Sequence, residues 1–433
     1  MICPNITVNE NNHLCFAGRD TTELAKKYST PLYLYDEQLI RQKCRMYKKA
    51  MAEYMGAGSR PVYAGKAACF KHMYEIMGQE EMCVDLVSSG EIYTALKAGF
   101  PMERAFFHGN NKTDGDIAYA IDCGVGHFVV DGFDELYALD AIAKEKGVVQ
   151  KILLRVTPGI DPHTYEAVNT GKVDSKFGVA IETGQAEEFC KAAIGLSHIS
   201  LQGWHCHVGS QVFDEDHSVY HDTAEIMLSF MKAMNDKYGL ALDVLNIGGG
   251  YGVRYVNSDP AIDIPQNIKT LGDFIKEYCE KLSMPMPSIL MEPGRSIVAD
   301  AGMTLYTVGT IKKIPGYKNY VSIDGGMTDN PRYALYGSKY TVFNASRVED
   351  EDKLRCDLVG RCCESDDVIQ PDVSLTAPKR GDTVAVCTTG AYNYSMSSNY
   401  NRVGRPAVLM LTETGEYIAV RRETLEDILS CDI

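Results

Sequence analysis

The sequence predicts an α/β protein, a (β/α)8 TIM-type barrel with a C-terminal β-rich domain of barrel or sandwich character. Three observations carry this. Eight short apolar runs end near Ala64, Leu86, Phe107, Val130, Val156, Cys206, Ile247 and Met291. Helix-like stretches alternate with them, the order of a parallel sheet wrapped by helices. From about residue 300 the texture changes to strand-like segments rich in β-branched and aromatic residues. A doubly wound open sheet is the competing arrangement of the same alternation.

Taken in order, residues 36–56 read as a helix that Asp36 can cap, with Leu39, Met46, Ala50 and Met51 near one face. Helical stretches then run from Phe70 to Gly78, Gly90 to Ala98, Asp114 to Ile121, Phe133 to Lys146, Gln185 to Ile194, His221 to Tyr238 and Leu271 to Leu282. The first four apolar runs recur about every 22 residues, and the later ones are spaced more widely, with room for loop insertions. In the last third, Thr304–Val308, Tyr320–Ile323, Asp382–Val386 and Ala407–Leu411 read as strands, and Thr414-Gly415 as a hairpin turn leading into Tyr417–Val420. The expected domains are a barrel over residues 31–300 and a β-rich domain built from 1–30 plus 301–433.

With 433 residues, the chain is too long for one ordinary core. Its net charge of −15 argues against a nucleic-acid partner. No apolar run approaches the length of a membrane span, and Met1–Asn5 does not open a secretory signal. The 14 cysteines are scattered, with no Cys-x-x-Cys and no zinc spacing, so the expectation is a reduced, cytoplasmic protein without a metal site.

Chemistry in such a barrel sits at the C-terminal ends of the strands, and the polar and glycine-rich clusters fall there. Lys66 follows the first strand. A desolvated ammonium there has a lowered pKa and a nucleophilic amine, suited to an imine with an aldehyde cofactor such as pyridoxal phosphate; a solvated strand-end lysine is the plainer reading. Ser88–Glu91, His108–Lys112, His205–Gln211, Gly248–Gly252 and Glu292–Ser296 follow later strands. The bare backbone of Gly248, Gly249 and Gly250 suits a phosphate, with Arg295 and Ser210 as further donors, although a tight turn also explains it. A carboxylate such as Glu292 keeps a pyridine nitrogen protonated; the alternative is a salt bridge with Arg295. His205 and His207 share a face by alternation. His207 suits a ring stacked on a cofactor, and His205 a satisfied core histidine. In the second domain Asp324–Arg332 is turn-rich and ends in a cation, Asp366-Asp367 read as a solvated face, and Cys363 is either an inert thiol or a proton donor.

Together these segments resemble the diaminopimelate decarboxylases, of the alanine-racemase-like (fold type III) pyridoxal phosphate enzymes. The resemblance runs from about residue 30 to about residue 410 and is carried by Tyr63–Ala67, His108–Lys112, Asp174–Gly178, His205–Gln211, Gly248–Gly252, Glu292–Ser296, Asp324–Tyr336, Cys363–Ser365 and Gly390–Arg402. It implies pyridoxal 5'-phosphate held by Lys66, stacked on by His207, and bound through its phosphate by Ser210, Gly249, Gly250, Tyr392 and the backbone from Glu292 through Gly294 to Arg295. It implies Glu292 at the pyridine nitrogen, and Arg295, Arg332, Tyr336 and Tyr392 around the substrate. Cys363 would protonate and Glu364 would recognise the distal amino group, both from the partner subunit of a homodimer with shared sites. The implied reaction is decarboxylation of meso-2,6-diaminopimelate to L-lysine and CO2, the last step of lysine biosynthesis. The alternatives are a decarboxylase of ornithine, arginine or carboxynorspermidine, a racemase, a small-molecule binding protein, or a non-catalytic regulatory homologue. Departures from the family pattern are Ala68 for asparagine, Tyr165 for histidine and Tyr333 for proline.

Overall fold

The computed structural model describes residues 1–160 and 173–433. The chain divides into two compact units, one of residues 42–252 and 262–294, the other of residues 1–41, 253–261 and 295–433.

The first unit is a closed parallel barrel. Its eight strands are Arg60–Ala64, Cys83–Leu86, Ala105–Phe107, His127–Val130, Gln150–Thr157, Ile199–His205, Val244–Asn246 and Ser288–Met291. Each pairs in parallel with its neighbours in sequence, the fourth pairs with the fifth, and the eighth closes on the first. This excludes the open doubly wound sheet. Val62, Cys83, Phe106, Val129, Leu153 and Leu290, one from each of six strands, meet as a buried interior cluster. Helices Lys71–Gln79, Ser89–Lys97, Asp114–Asp122, Phe133–Glu145, Gln185–Ile194, Ser218–Tyr238 and Ile264–Lys281 occupy the connections. Caps account for their starts: Ser88 accepts from the Glu91 amide, Thr113 and Asp116 form a reciprocal capping box, and Asp263 accepts from Gln266.

The helix expected over 36–56 runs over Glu37–Tyr54, and the Asp36 carboxylate accepts from the Leu39 amide at 3.1 Å. Its buried stripe is Ile40, Cys44, Tyr47, Ala50 and Met51; of the expected face Ala50 and Met51 are buried, while Leu39 and Met46 are only partly covered. The i, i+4, i+7 spacing from Ile40 outweighs the two longer apolar side chains.

In the second unit the long strand Gly302–Ile314 is the hub. It pairs with Leu32–Asp36, Lys318–Ile323 and Thr383–Cys387. Leu32–Asp36 also runs parallel to Ala407–Leu411, so these residues, expected at the start of the barrel, are a strand of the β-rich sheet. Ala407–Leu411 and Glu416–Val420 form the expected hairpin, turned at Thr412–Gly415. Two strands missed by sequence reading, Lys353–Val359 and Val368–Thr376, pair antiparallel with register shifts, and charges and Pro371 interrupt their alternation. The N-terminal residues Ile6, Leu14, Phe16 and Leu24 share a buried cluster with Leu32, Leu305 and Leu409.

Candidate active site

Because all eight barrel strands are parallel, their C-terminal ends open at one mouth, where Lys66, Ser88–Glu91, His108–Lys112, His205–Gln211, Gly248–Gly252 and Glu292 stand. Lys66 lies on a short 3-10 turn, Gly65–Ala67, and is exposed between buried neighbours. The expected desolvated amine is therefore corrected to a solvent-accessible one. Its electrostatic surroundings are Asp85, Glu91 and His207 rather than an apolar wall.

Glu292, after the eighth strand, is buried and takes its partners from three other strand ends. Asn246 Nδ2 donates to Oε1 at 2.7 Å, and His205 Nε2 lies 3.2 Å from Oε2. His108 Nε2 approaches Oε1 to 2.9 Å, close in distance but off the ideal hydrogen-bond line. Burial alone would raise the Glu292 carboxyl. His108 and His205 outweigh it and hold the group well below the usual carboxylate range. Burial holds the His205 imidazole down to about 4 against the pull of Glu292, and pushes the neighbouring Asp85 carboxyl up against His108 and Lys66. The partners of Glu292 are thus two histidines and an asparagine, where the sequence left open a bridge to Arg295.

His207 receives the Gly249 amide on Nδ1 at 3.3 Å. Burial, together with the charge of Lys66, keeps its ring well below the ordinary histidine range, so it is a neutral flat surface. The glycine run is a close approach of loops. A Cβ on Gly249 would stand 2.0 Å from the Glu292 carbonyl oxygen, and one on Gly250, whose φ is +117°, 2.4 Å from the Gly209 carbonyl oxygen. The loops after strands six, seven and eight therefore pack backbone to backbone, too closely for a side chain at Gly249 or Gly250.

In the β-rich unit Arg295 and Arg332 are buried, and both lie against Tyr392, with guanidinium carbons 4.9 and 5.0 Å from the ring centre. Tyr392 is held at φ +64°. Tyr336 flanks Arg332 at 4.8 Å. Cys363 and Glu364 are exposed. The Cys363 amide donates to Asn401 Oδ1 at 2.8 Å, and the Tyr400 hydroxyl donates to Glu364.

Sequence reasoning missed several participants. Asp367, expected on a solvated face, is buried and receives the Met327 and Cys362 amides at 2.6 Å each, tying the turn after Asp324 to the segment before Cys363. Tyr255 and Asn246 carried no motif. His108, His205 and Glu292 place a polar atom each within 4.8 Å of one another, a buried cluster that no sequence spacing suggested. Tyr165 lies outside the described residues.

The family described as pyridoxal-dependent decarboxylase, pyridoxal binding domain, matches residues 37–299. A diaminopimelate decarboxylase of Bacillus subtilis is 42% identical over 425 residues, 98% of this chain and 96% of that one. One from Mycobacterium tuberculosis is 39% identical over 438 residues, with 99% and 97% covered. The chain belongs to the diaminopimelate decarboxylase family. Solved structures of family members agree in shape. That of M. jannaschii in complex with L-lysine superposes with a TM-score of 0.91 at 31% identity, covering 100% of this chain and 98% of that one. That of Helicobacter pylori, also with L-lysine, gives 0.85 at 31% identity, covering 95% and 98%.

Proposed function

We propose that the protein removes one carboxylate from meso-2,6-diaminopimelate, giving L-lysine and CO2, with pyridoxal phosphate as cofactor. The observation that carries this reading is the pair of buried guanidiniums, Arg295 and Arg332, both lying over the Tyr392 ring. A second carboxylate on the substrate gives them a counter-charge, which a diamine-tailed substrate lacks. Relatives bearing the same activity in their names span nearly the whole chain.

The barrel mouth fits the cofactor. It offers an accessible primary amine, an anionic buried carboxylate, a neutral imidazole and glycine loops packed too closely to carry a Cβ. Lys66 would hold the cofactor through its amine, and His207 would lie on its ring. Ser210, Tyr392 and the backbone of Gly249, Gly250, Gly294 and Arg295 would take the phosphate. Bound there, pyridoxal phosphate supplies an electron sink for the pair left behind as CO2 departs.

The chain's own groups do the rest. Glu292 stays anionic beneath its donors and so favours a proton on the ring nitrogen. Arg295, Arg332 and Tyr336 orient the substrate, which decides the stereocentre that reacts. Cys363 delivers a proton from Sγ to the carbon that lost its carboxylate, and Glu364 accepts the distal ammonium. Both act on the partner's substrate in a homodimer, a reading supported by their exposure on the β-rich unit. A cytoplasmic setting goes with the fourteen unbridged thiols.

The test is incubation of the purified protein with meso-diaminopimelate, L-ornithine, L-arginine and carboxynorspermidine. Lysine and CO2 from the first substrate, at far higher kcat/KM than any product from the others, is the expected result. Preferred turnover of another substrate, or none of any, overturns it. Borohydride reduction followed by peptide mapping should place the cofactor adduct on Lys66.

A further inference from the structure

We propose that His108, His205 and Asn246 form a positioning set that fixes the direction and charge of Glu292, and that Lys112 serves to hold His108 in that set. The proposal rests on the cofactor reading above and deepens it.

An ionised carboxylate has about four lone-pair positions. Asn246 and His205 engage one oxygen each by hydrogen bonds, and His108 adds a close contact to Oε1, so Oε2 is the less crowded oxygen. The set comes from the loop after strand three, the end of strand six and the end of strand seven, so it exists only once the barrel has closed.

The tautomer of His205 follows from its burial. Its Nδ1 is buried without a partner among the described residues, whereas Nε2 faces Glu292. A proton on Nδ1 would be an unpaired buried donor, so the proton belongs on Nε2. A second proton would place a cation in the same unpaired position, so Glu292 cannot pass its charge to His205. His108 packs edge to face on His205 with ring centres 5.0 Å apart. The other titratable groups acting on Glu292 are Asp85 from strand two, Arg155 from strand five, and Cys206 and His207 beyond strand six.

Lys112 gives the rest of the His-Gly-Asn-Asn-Lys segment its purpose. Its side chain is 1% exposed. Its ammonium donates to the Gly109 carbonyl at 2.9 Å, the Val129 carbonyl at 2.8 Å and Glu135 Oε1 at 2.7 Å. All three donors are used, as a buried ammonium requires. One acceptor is the carbonyl of Gly109, the residue after His108. Another is on strand four, and the third on the following helix. The lysine pins the loop that carries His108.

The experiment uses holoenzyme carrying pyridoxal phosphate labelled with 15N in the ring, and apoprotein with 15N-labelled histidine. In the wild type the ring nitrogen should stay protonated from about pH 6 to 9, and His205 in the apoprotein should carry its proton on Nε2 alone. In His108→Ala and His205→Gln the ring nitrogen should lose its proton within that range. In both, kcat should fall about tenfold or more, with KM changed less than about threefold. Lys112→Met should shift the ring titration in the same sense by less. An unchanged ring signal in both histidine variants with cofactor bound overturns the proposal. So does a cationic or Nδ1-protonated His205 in the wild-type apoprotein, a result that needs no variant to fold. Failure of the wild type to bind the cofactor would instead strike the reading on which the proposal rests.

Discussion

The phenolic oxygen of Tyr255 accepts a hydrogen bond from Nη1 of Arg295 at 2.6 Å, inside the β-rich unit. Tyr255 belongs to the short excursion 253–261, which leaves the barrel after its seventh strand and joins the other unit. Its ring packs edge to face on Tyr340, with centres 5.5 Å apart. A buried guanidinium is thereby oriented by a phenolic oxygen. Tyr255→Phe removes only the acceptor. A hydrogen bond to a charged group is worth about 1.5–3 kcal/mol, so KM for diaminopimelate should rise about tenfold or more while the folded ring packing survives. Steady-state kinetics alongside thermal melts would check this; an unchanged KM would remove Tyr255 from the substrate side.

Arg332 supplies the second guanidinium on Tyr392, 6% exposed. Deleting one partner of a desolvated charge pair typically costs about 2–5 kcal/mol. Arg332→Ala should lower kcat/KM for diaminopimelate accordingly. A loss under about threefold would mean that the distal carboxylate is held elsewhere.

His127 opens the fourth barrel strand and stacks on Phe106, with ring centres 4.6 Å apart and planes 10° from parallel. Burial, with the charges of Lys151 and Arg60, lowers its pKa from 6.5 to about 4. Below pH 6.5 the unfolded chain binds a proton that the native chain refuses until about pH 4. Native stability is therefore complete above that window and is lost as pH falls through it, by up to about 3 kcal/mol from this group. His127→Phe keeps the stacking and removes the proton site. Denaturant titrations from pH 7 down to 4 should show a shallower acid loss in the variant, and parallel curves would refute the assignment.

The shared-site reading is open to complementation. Lys66→Ala and Cys363→Ala proteins should each be nearly inactive. After subunit exchange about half the dimers are mixed and each carries one intact site, so roughly a quarter of wild-type activity should return. Exchange confirmed by mass without any recovered activity would place both residues in the same chain's site, or would remove Cys363 as the proton donor. Cys363→Ser, a poorer acid of similar size, would separate those two cases.

The eight barrel strands, their order and the polar clusters at their ends were legible in the chain, because each strand and helix reports its own burial through local periodicity. The apolar runs at Ala64, Leu86, Phe107, Val130 and Met291 end where the strands end. Lys66, Glu292 and the glycine run could be named for the same reason: each stands directly after such a run. What surrounds them could not. Glu292 is partnered by His108, His205 and Asn246, up to 184 residues away, because barrel closure makes strands three, six, seven and eight share one mouth. Asp367 beside Asp366 looks like surface charge in sequence, and only the fold of the turn after Asp324 buries it under two amides. Leu32–Asp36 reads as the approach to the barrel, but its two edges are filled by Gly302–Ile314 and Ala407–Leu411, strands hundreds of residues later. Periodicity determines which faces are apolar. Which polar groups then meet, and with what charge, is decided by strand neighbours that only the closed tertiary structure brings together.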